Sequence, residues 1–393
     1  MSNVLVINSG SSSLKFAVID PLTEKFFATG LVENIGGEAH LVVKMEGDKV
    51  DEITAVPNHQ VALELTVKVL EEKKLLENGL KVVGHRVVHG GEFFSDSVII
   101  NSKVKTAIES CNELAPLHNP ANLEGIEVAQ KLFKGVPQVA VFDTAFHQTL
   151  PDYAYMYGLP KELYEKKGVR RYGFHGTSHR FVTLQAAKLL GKTRPEVNLV
   201  TAHLGNGSSI TAVLNGYSVD TTMGLTPMEG IPMGTRSGTI DPGIFMYLHR
   251  QMGWTVSEIN EVLNKKSGFL GLSGISNDMR TLSEAAVAGN AQASLTIEVF
   301  CWSLAKAIAS MAVALPSIDA LVFTGGIGEN SALIREKTLA HLKILNFEVD
   351  SGLNLMHGKK EKGIITKEGS TRAMVIPTNE ELLIAQDAMN LVS

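Results

Sequence analysis

The sequence predicts an α/β protein built as two similar halves. Apolar runs with strand character alternate with segments whose apolar spacing suits helices. The opening stretch VLVINSGSSSLKFAVID, residues 4–20, reads as strand, small-residue turn, strand. The same frame returns about half of the 393-residue chain later as LVTAHLGNGSSITAVLN, residues 199–215, with Gly207-Ser-Ser aligned on Gly10-Ser-Ser.

Each half therefore opens on a hairpin. A plain hairpin needs only a two-residue turn such as Asn-Gly or Asp-Gly. Four small residues, Gly10 to Ser13, followed by Lys15, point to an anion held at the tip. KVVGHRVVHGG, residues 81–91, is a β-rich run ending in a glycine turn, and VPQVAVFDTAF, residues 136–146, is a buried strand ending at Asp143. Thr177 or Ser178 provides a polar cap before HRFVTLQAAKLL, whose apolar spacing predicts a helix. Residues 303–323, SLAKAIASMAVALPSIDALVF, form the most apolar long segment. Lys306, Pro316 and Asp319 interrupt it, whereas a membrane span needs about 20 nearly uninterrupted apolar residues. It reads as a core helix running into a core strand. Residues 320–342 read as strand, glycine turn, helix, and TNEELLIAQDAMNLV as a terminal helix capped by Thr378-Asn379. HGKKEKG is a solvated loop.

Composition narrows the function. The length suggests two or three domains, and 44% hydrophobic residues support a sizeable core. A net charge of −5 with interspersed signs argues against a general nucleic-acid binder. Cys111 and Cys301 lie far apart in no metal or redox spacing, as buried thiols of a reducing cytosol do. The start MSNVLVIN has no basic segment followed by a long apolar one, so no secretory signal is read.

Three glycine loops follow strands: NSGSSS at 8–13, GNGSS at 205–209 and GGIGEN at 325–330. Backbone N–H groups in such turns make concave anion sites, and glycine lets the chain approach a ligand closely. The third loop also opens a helix, which adds favourable partial charge. No GxxxxGK[ST] is present, and the first two loops run into strands, which excludes the P-loop and dinucleotide-fold readings of these glycines. One such loop is an ordinary turn; three, two of them in a repeated frame, point to phosphate. Lys15 is either a phosphate contact or a surface lysine. The pairs His85/His89 and His175/His179 have i, i+4 spacing, but zinc needs three or four ligands and no HExxH frame is present.

Together, VLVINSGSSSLKF, GHRVVHGGE, FDTAFH, RRYGFHGTSH, AHLGNGSS, PMEGIPMGTRSGTIDP, NDMR, GGIGENS and PTNEEL resemble the acetate kinase family, within the acetate and sugar kinase, Hsp70 and actin superfamily. The matching blocks run from residue 3 to residue 383. Met279 stands where that family often has Phe or another apolar residue; Asp278 and Arg280 are retained. The resemblance implies two duplicated actin-like (ribonuclease H-like) domains with an interdomain cleft: residues 1–147 plus 381–393, and a nucleotide-binding domain of residues 148–380. It implies reversible, direct in-line phosphoryl transfer from ATP to acetate, giving ADP and acetyl phosphate with Mg²⁺ or Mn²⁺. It implies a cytoplasmic homodimer with no nucleic-acid or membrane partner.

Residue roles follow from the same resemblance. Arg86 and Arg236 correspond to arginines flanking the acetate and the transferring phosphoryl group, a task that suits the guanidinium fork. His175 corresponds to the histidine that stabilises the equatorial oxygens in the transition state. Asp143 corresponds to a residue commonly given an acid/base role. Acetate, with a pKa near ~4, is already ionised at neutral pH, so Asp143 is expected to orient magnesium or Arg86 instead. Asn8 and Glu380 correspond to metal-binding residues, and Mg²⁺ keeps several waters in nucleotide sites. ATP contacts fall on Ser11, Ser13 and Lys15; on His203, Leu204, Gly205, Asn206 and Gly207; on Asp278, Met279 and Arg280; and on Gly326, Ile327, Gly328, Glu329 and Asn330. Val88, Leu117, Phe174 and Pro227 correspond to a small apolar pocket for the acetate methyl.

The nearest alternative is a propionate or other short-chain acyl kinase with the same machinery. A sugar kinase would need Asp143 as a base and a polar pocket, which the apolar set opposes. An Hsp70-like or actin-like ATP-dependent binding protein would lack the paired substrate arginines.

Overall fold

The computed structural model describes residues 3–77 and 79–393. The chain divides into two compact units, Met1–Gln148 with Asn379–Ser393, and Thr149–Thr378.

In the first unit, β1 (Asn3–Ser9) and β2 (Ser13–Asp20) pair antiparallel from Val4↔Ile19 to Ser9↔Leu14. This is the hairpin expected from the opening stretch. β3 (Lys25–Glu33), β4 (Gly37–Met45) and β5 (Asp48–Val56) extend it antiparallel. On the other side β6 (Leu80–Val87) runs parallel to β1, and β8 (Gln138–Phe142) parallel to β6. The two-residue β7 (Val98–Ile99) closes that edge, giving the order β5-β4-β3-β2-β1-β6-β8-β7.

The inner strands carry near-continuous apolar runs because both faces are covered. Leu5, Ile7 and Val83 pack with Leu63 and Val128, from the helices His59–Glu72 and Asn119–Leu132. The opposite face meets the terminal helix Glu380–Val392. A Cβ on Gly84 would lie 2.7 Å from Ile384 Cγ2, so the absent side chain lets that helix approach β6.

In the second unit, β9 (Leu199–Leu204), β10 (Ser208–Leu214) and β11 (Tyr217–Thr221) pair antiparallel. β12 (Ala320–Thr324) and β13 (Ala373–Val375) continue in parallel, giving β11-β10-β9-β12-β13. The relative directions reproduce β3-β2-β1-β6-β8, which is the duplication that the repeated hairpin frame predicts.

Three boundaries differ from expectation. The core helix starts at Ala291, twelve residues before the apolar window, with Asn290 capping Ala293 N–H, and runs to Ala312. Its exposed face carries Gln292, Ser294 and Glu298 in the first turns, which dilutes the apolar signal. By length and composition this helix could cross a membrane. Instead Ala293, Ile297, Phe300, Leu304, Ile308 and Met311, at three- and four-residue spacing, line the core of this unit. The helix expected over HRFVTLQAAKLL runs Gly176–Leu189, so Thr177 and Ser178 lie inside it. His175 holds the cap position at φ 57 with no side-chain cap bond, and the Ser178 hydroxyl is engaged with Thr378. GGIGEN is itself a helix, Gly325–Asn330, not an open turn. At φ 74, a Cβ on Gly325 would lie 2.8 Å from the Leu204 carbonyl oxygen, so only glycine lets β12 turn straight into helix against β9.

Candidate active site

In the first unit the site grows from the carboxyl ends of the parallel strands, the usual place for ligands in such sheets. Asn8 is near the end of β1, Arg86 near the end of β6, Asp143 follows β8, and Glu380 opens the terminal helix. Arg86 Nε donates to Asp143 Oδ1 at 3.1 Å, a second guanidinium nitrogen donates to Oδ2, and Nη1 donates to Asn8 Oδ1 at 3.3 Å. Asp143 is buried at 1% exposure, so the fork spans a fully desolvated carboxylate. Burial opposes the Arg86 charge; Asp143 and Glu380 outweigh it and raise its pKa. Burial first, then Asp143, push half-buried Glu380 up to about 7, against the pull of Arg86 and Lys15. Asn8, Lys15, Arg86, Glu380 and Glu381 line a cavity of about 20 Å³, room for roughly one water.

Two asparagines hold the backbone around this cluster. Asn122 accepts from Val88 N–H at 3.0 Å and donates to the Ser9 carbonyl at 2.6 Å, tying the first hairpin to the end of β6. Asn119 accepts from His89 N–H at 3.1 Å and donates back to the His89 carbonyl at 2.9 Å. Sequence reasoning missed both, although HNPAN offers two amides at i, i+3 on the first turn of a helix. His59 bonds the Gly10 carbonyl at the hairpin tip, 2.6 Å away. At that tip Ser11 and Lys15 are exposed and Ser13 half-buried. Val88 is buried and Leu117 exposed.

In the second unit a cavity of about 610 Å³ lies within the range of small-molecule sites. Its lining brings together Gly205 and Asn206 of the second hairpin, Asp278, Met279 and Arg280 of NDMR, and Gly326, Ile327 and Asn330 of GGIGEN. Asn277, Ser283 and Ser331 also line it and were not anticipated. Asp278 caps the helix Met279–Val287 through Thr281 N–H at 2.8 Å, and that bond holds its carboxyl below the usual range. Leu204 and Gly328 are buried behind the lining. Glu329 braces it, accepting from Gly325 N–H at 2.9 Å and Thr378 N–H at 3.1 Å.

Arg335 was not legible at all. It looks like a surface residue of an amphipathic helix but is 0% exposed. It donates to the Gly328 and Glu329 carbonyls at 2.8 and 3.1 Å and to Asn354, and burial lowers its pKa to about 10.

Beside the second hairpin stand His175, His203 and Arg236. The His175 and His203 rings stack at 4.3 Å. A Cβ on Gly207 would lie 3.3 Å from both His175 Nε2 and Arg236 Nη1, so a bare backbone turn faces an imidazole and a guanidinium. Arg236 Nη1 donates to the Pro227 carbonyl at 3.0 Å. No carboxylate pairs with it among the described residues, and burial lowers its pKa. The Pro227 loop is fixed by Arg171, which donates to the Thr222 and Met223 carbonyls and pairs with Glu229 at 2.7 Å. Tyr157 donates to the same Glu229. Phe174 is buried next to His175 and Pro227 half-buried. His179 and His203 join His175 in one cluster, but Thr201, Ser209 and Ser178 occupy ring nitrogens of all three.

A duplicated sheet whose first strand pair in each copy ends in a small-residue hairpin, with a nucleotide-sized cavity and, beside the second, an arginine that has no carboxylate partner among the described residues, defines an actin-like α/β phosphotransferase fold. The chain belongs to the Acetokinase family, whose family model matches residues 3–386. It is 54% identical over 398 residues to the acetate kinase of Shewanella amazonensis, covering 100% of both chains. Among solved structures it resembles a propionate kinase from Francisella tularensis at TM-score 0.95 and 49% identity, and the acetate kinase of Porphyromonas gingivalis at TM-score 0.94 and 42% identity. Each comparison covers 100% of both chains.

Proposed function

We propose that this protein transfers the γ-phosphoryl group of ATP directly to acetate, reversibly forming acetyl phosphate and ADP. The observation that carries the proposal is Arg236: a half-buried guanidinium with no carboxylate partner among the described residues, sharing the face of a glycine-rich turn with His175. An unpaired buried charge is costly and calls for an anionic ligand. A phosphoryl group in transit offers one, with charge spread over three equatorial oxygens.

An acetate carboxylate oxygen forms the new bond to phosphorus as the bond to the ADP oxygen breaks. No proton leaves the nucleophile, because acetate is ionised above a pKa of about 4. Asp143, gripped by both arms of Arg86, is therefore assigned to orient that guanidinium toward the carboxylate and the phosphoryl oxygens. Arg236 and His175 neutralise the charge on the transferring group. The second unit's cavity takes the nucleotide, with the hairpin backbone at 205–207 and His203 near the phosphates. Val88, Leu117, Phe174 and Pro227 are assigned to the methyl group, and Ser11, Ser13 and Lys15 to phosphate at the first hairpin. We assign residues 1–147 plus 381–393 and residues 148–380 as the two actin-like domains.

The oxygen donors Asn8, Asp143 and Glu380, one amide and two carboxylates, fit a hard cation such as Mg²⁺ or Mn²⁺. Asn8 and Glu380 would hold the ion, partly through water. Bound there, it would neutralise phosphate charge. A cytoplasmic homodimer is proposed as well. Ile244, Met246, Tyr247, Met252 and Val256 expose a run of apolar surface on and after the helix Pro242–Met252, which buries none of its residues.

A propionate preference is the second reading, favoured by the solved propionate kinase relative at 49% identity. The test compares kcat/KM for acetate, propionate and butyrate, with acyl phosphate trapped as hydroxamate. One methylene is worth about 10–200-fold, so propionate is expected to be slower but accepted. Equal or reversed values would transfer the assignment to a propionate kinase.

A further inference from the structure

A neutral imidazole has one N–H and one lone pair, so His175 can donate a hydrogen bond to an anion beside Gly207 only when Nε2 carries the proton. We infer that a buried hydroxyl–imidazole chain, Thr201–His179–Ser209–His175, locks His175 in that tautomer, making Thr201, His179 and Ser209 positioning residues.

Thr201 Oγ1 lies 2.7 Å from His179 Nδ1, His179 Nε2 lies 2.8 Å from Ser209 Oγ, and Ser209 Oγ lies 2.9 Å from His175 Nδ1. Thr201, His179 and Ser209 are each 0% exposed, so bulk solvent does not reach them. The Ser209 hydroxyl has one proton. It donates to one imidazole and accepts from the other, which leaves the chain two directions.

In the first direction Thr201 donates to His179 Nδ1, His179 Nε2–H donates to Ser209, and Ser209 donates to His175 Nδ1. Each of the three protons within the chain has an acceptor, and half-buried His175 carries its own on Nε2, toward Gly207. In the reverse direction His175 Nδ1–H donates to Ser209, Ser209 donates to His179 Nε2, and His179 Nδ1–H donates to Thr201. The Thr201 hydroxyl hydrogen then has no acceptor among the described residues, because its bond to His179 is the one hydrogen bond that side chain makes among them. An orphaned buried donor costs the full desolvation of the group. The first direction therefore prevails. The strained left-handed backbone of His175, φ 57, aims the ring at Ser209 and at Gly207 together.

The direct test is a two-bond ¹H–¹⁵N correlation spectrum of the full-length protein carrying [¹⁵N]histidine, with His175 assigned by its absence in His175→Gln. The expected result is a proton on Nε2 and a bare Nδ1; a proton on Nδ1 overturns the inference. This readout needs no turnover, so it stands or falls apart from the kinase reading. A kinetic arm rests on that reading. Thr201→Val removes the donor at nearly constant shape and lets the tautomers mix, so a second, Nδ1-protonated form of His175 should enter the same spectrum and kcat should fall about twofold as the competent fraction falls toward half, with both KM values unchanged. Thr201→Ser retains the donor and should keep the single Nε2-protonated form and the parent kcat. An unchanged kcat in Thr201→Val, or an equal loss in both variants, removes Thr201 from the role. Should the valine variant not fold, the parent spectrum alone decides.

Discussion

Arg86 and Arg236 are the same residue type in opposite electrostatic settings. Arg86 is neutralised in advance by Asp143 and its charge is reinforced, whereas among the described residues Arg236 hydrogen-bonds the Pro227 carbonyl and the Met233 sulfur and has no carboxylate partner. An unneutralised cation gains more from charge that develops during reaction, so Arg236→Ala should lower kcat by about 10³ or more, as loss of a transition-state arginine does. Steady-state assay in the acetyl phosphate direction measures it; a change under about tenfold would refute the assignment. Arg236→Lys should recover little, because an ammonium cannot hold the Pro227 carbonyl and an anion in one plane. Arg86, Arg236 and His175 were legible because each stands in a distinctive glycine-bounded motif. Asn119, Asn122 and Arg335 were not: their work is done on backbone carbonyls and amides far away in sequence, and a one-dimensional pattern carries no trace of such partners. Arg335 in particular occupies a position whose flanking charges, Glu336 and Lys337, mimic a solvated helix face.

At the scale of elements, the strands and the repeated hairpin were readable because alternation, run length and a Gly/Ser tip are local signals. Helix starts were less so. The segment around 175 begins at a residue with φ 57, and no polar cap marks it, because the cap position is used to aim an imidazole. GGIGEN reads as a turn since three glycines disfavour helix by about 1 kcal/mol each. The packing of that segment against β9 overrides the propensity, and Gly325 is where the two meet. Gly325→Ala would put a methyl group 2.8 Å from the Leu204 carbonyl at a backbone angle that strains any side chain. It should cost about 1–3 kcal/mol of stability and shift the lining residues Gly326 and Ile327. The expected outcome is a lower Tm by calorimetry and a several-fold higher KM for ATP, with KM for acetate little changed. Gly326→Ala is the control, since no atom lies within 4 Å of the added carbon. Equal Tm values for the two variants would show that the contact at 325 does not constrain the helix.

The whole molecule answers to two further conditions, association and pH. If the apolar surface at 244–256 holds two copies together, Met246→Glu with Tyr247→Lys should yield a monomer by analytical ultracentrifugation, because two desolvated charges are not tolerated in such an interface. The pH argument rests on His85 and His89, which the fold buries at 2% and 0% exposure. Burial lowers both to about 4, even though Gln138 supports the His85 charge with a hydrogen bond at 2.7 Å. An unfolded histidine titrates near ~6.5, so between these values the unfolded chain binds more protons than the folded one. Stability therefore rises with pH through that window and is lost as pH falls from about 6.5 toward 4, by about 2 kcal/mol per histidine between pH 7 and pH 4.5. The sign is opposite to that of a histidine gaining a carboxylate partner. Urea unfolding of the parent and of His85→Gln at both pH values isolates one contribution, since carboxylate titrations cancel in the difference. The glutamine variant should lose about 2 kcal/mol less stability than the parent on acidification; parallel losses would mean that His85 is protonated in the folded state and that β6 accommodates the charge.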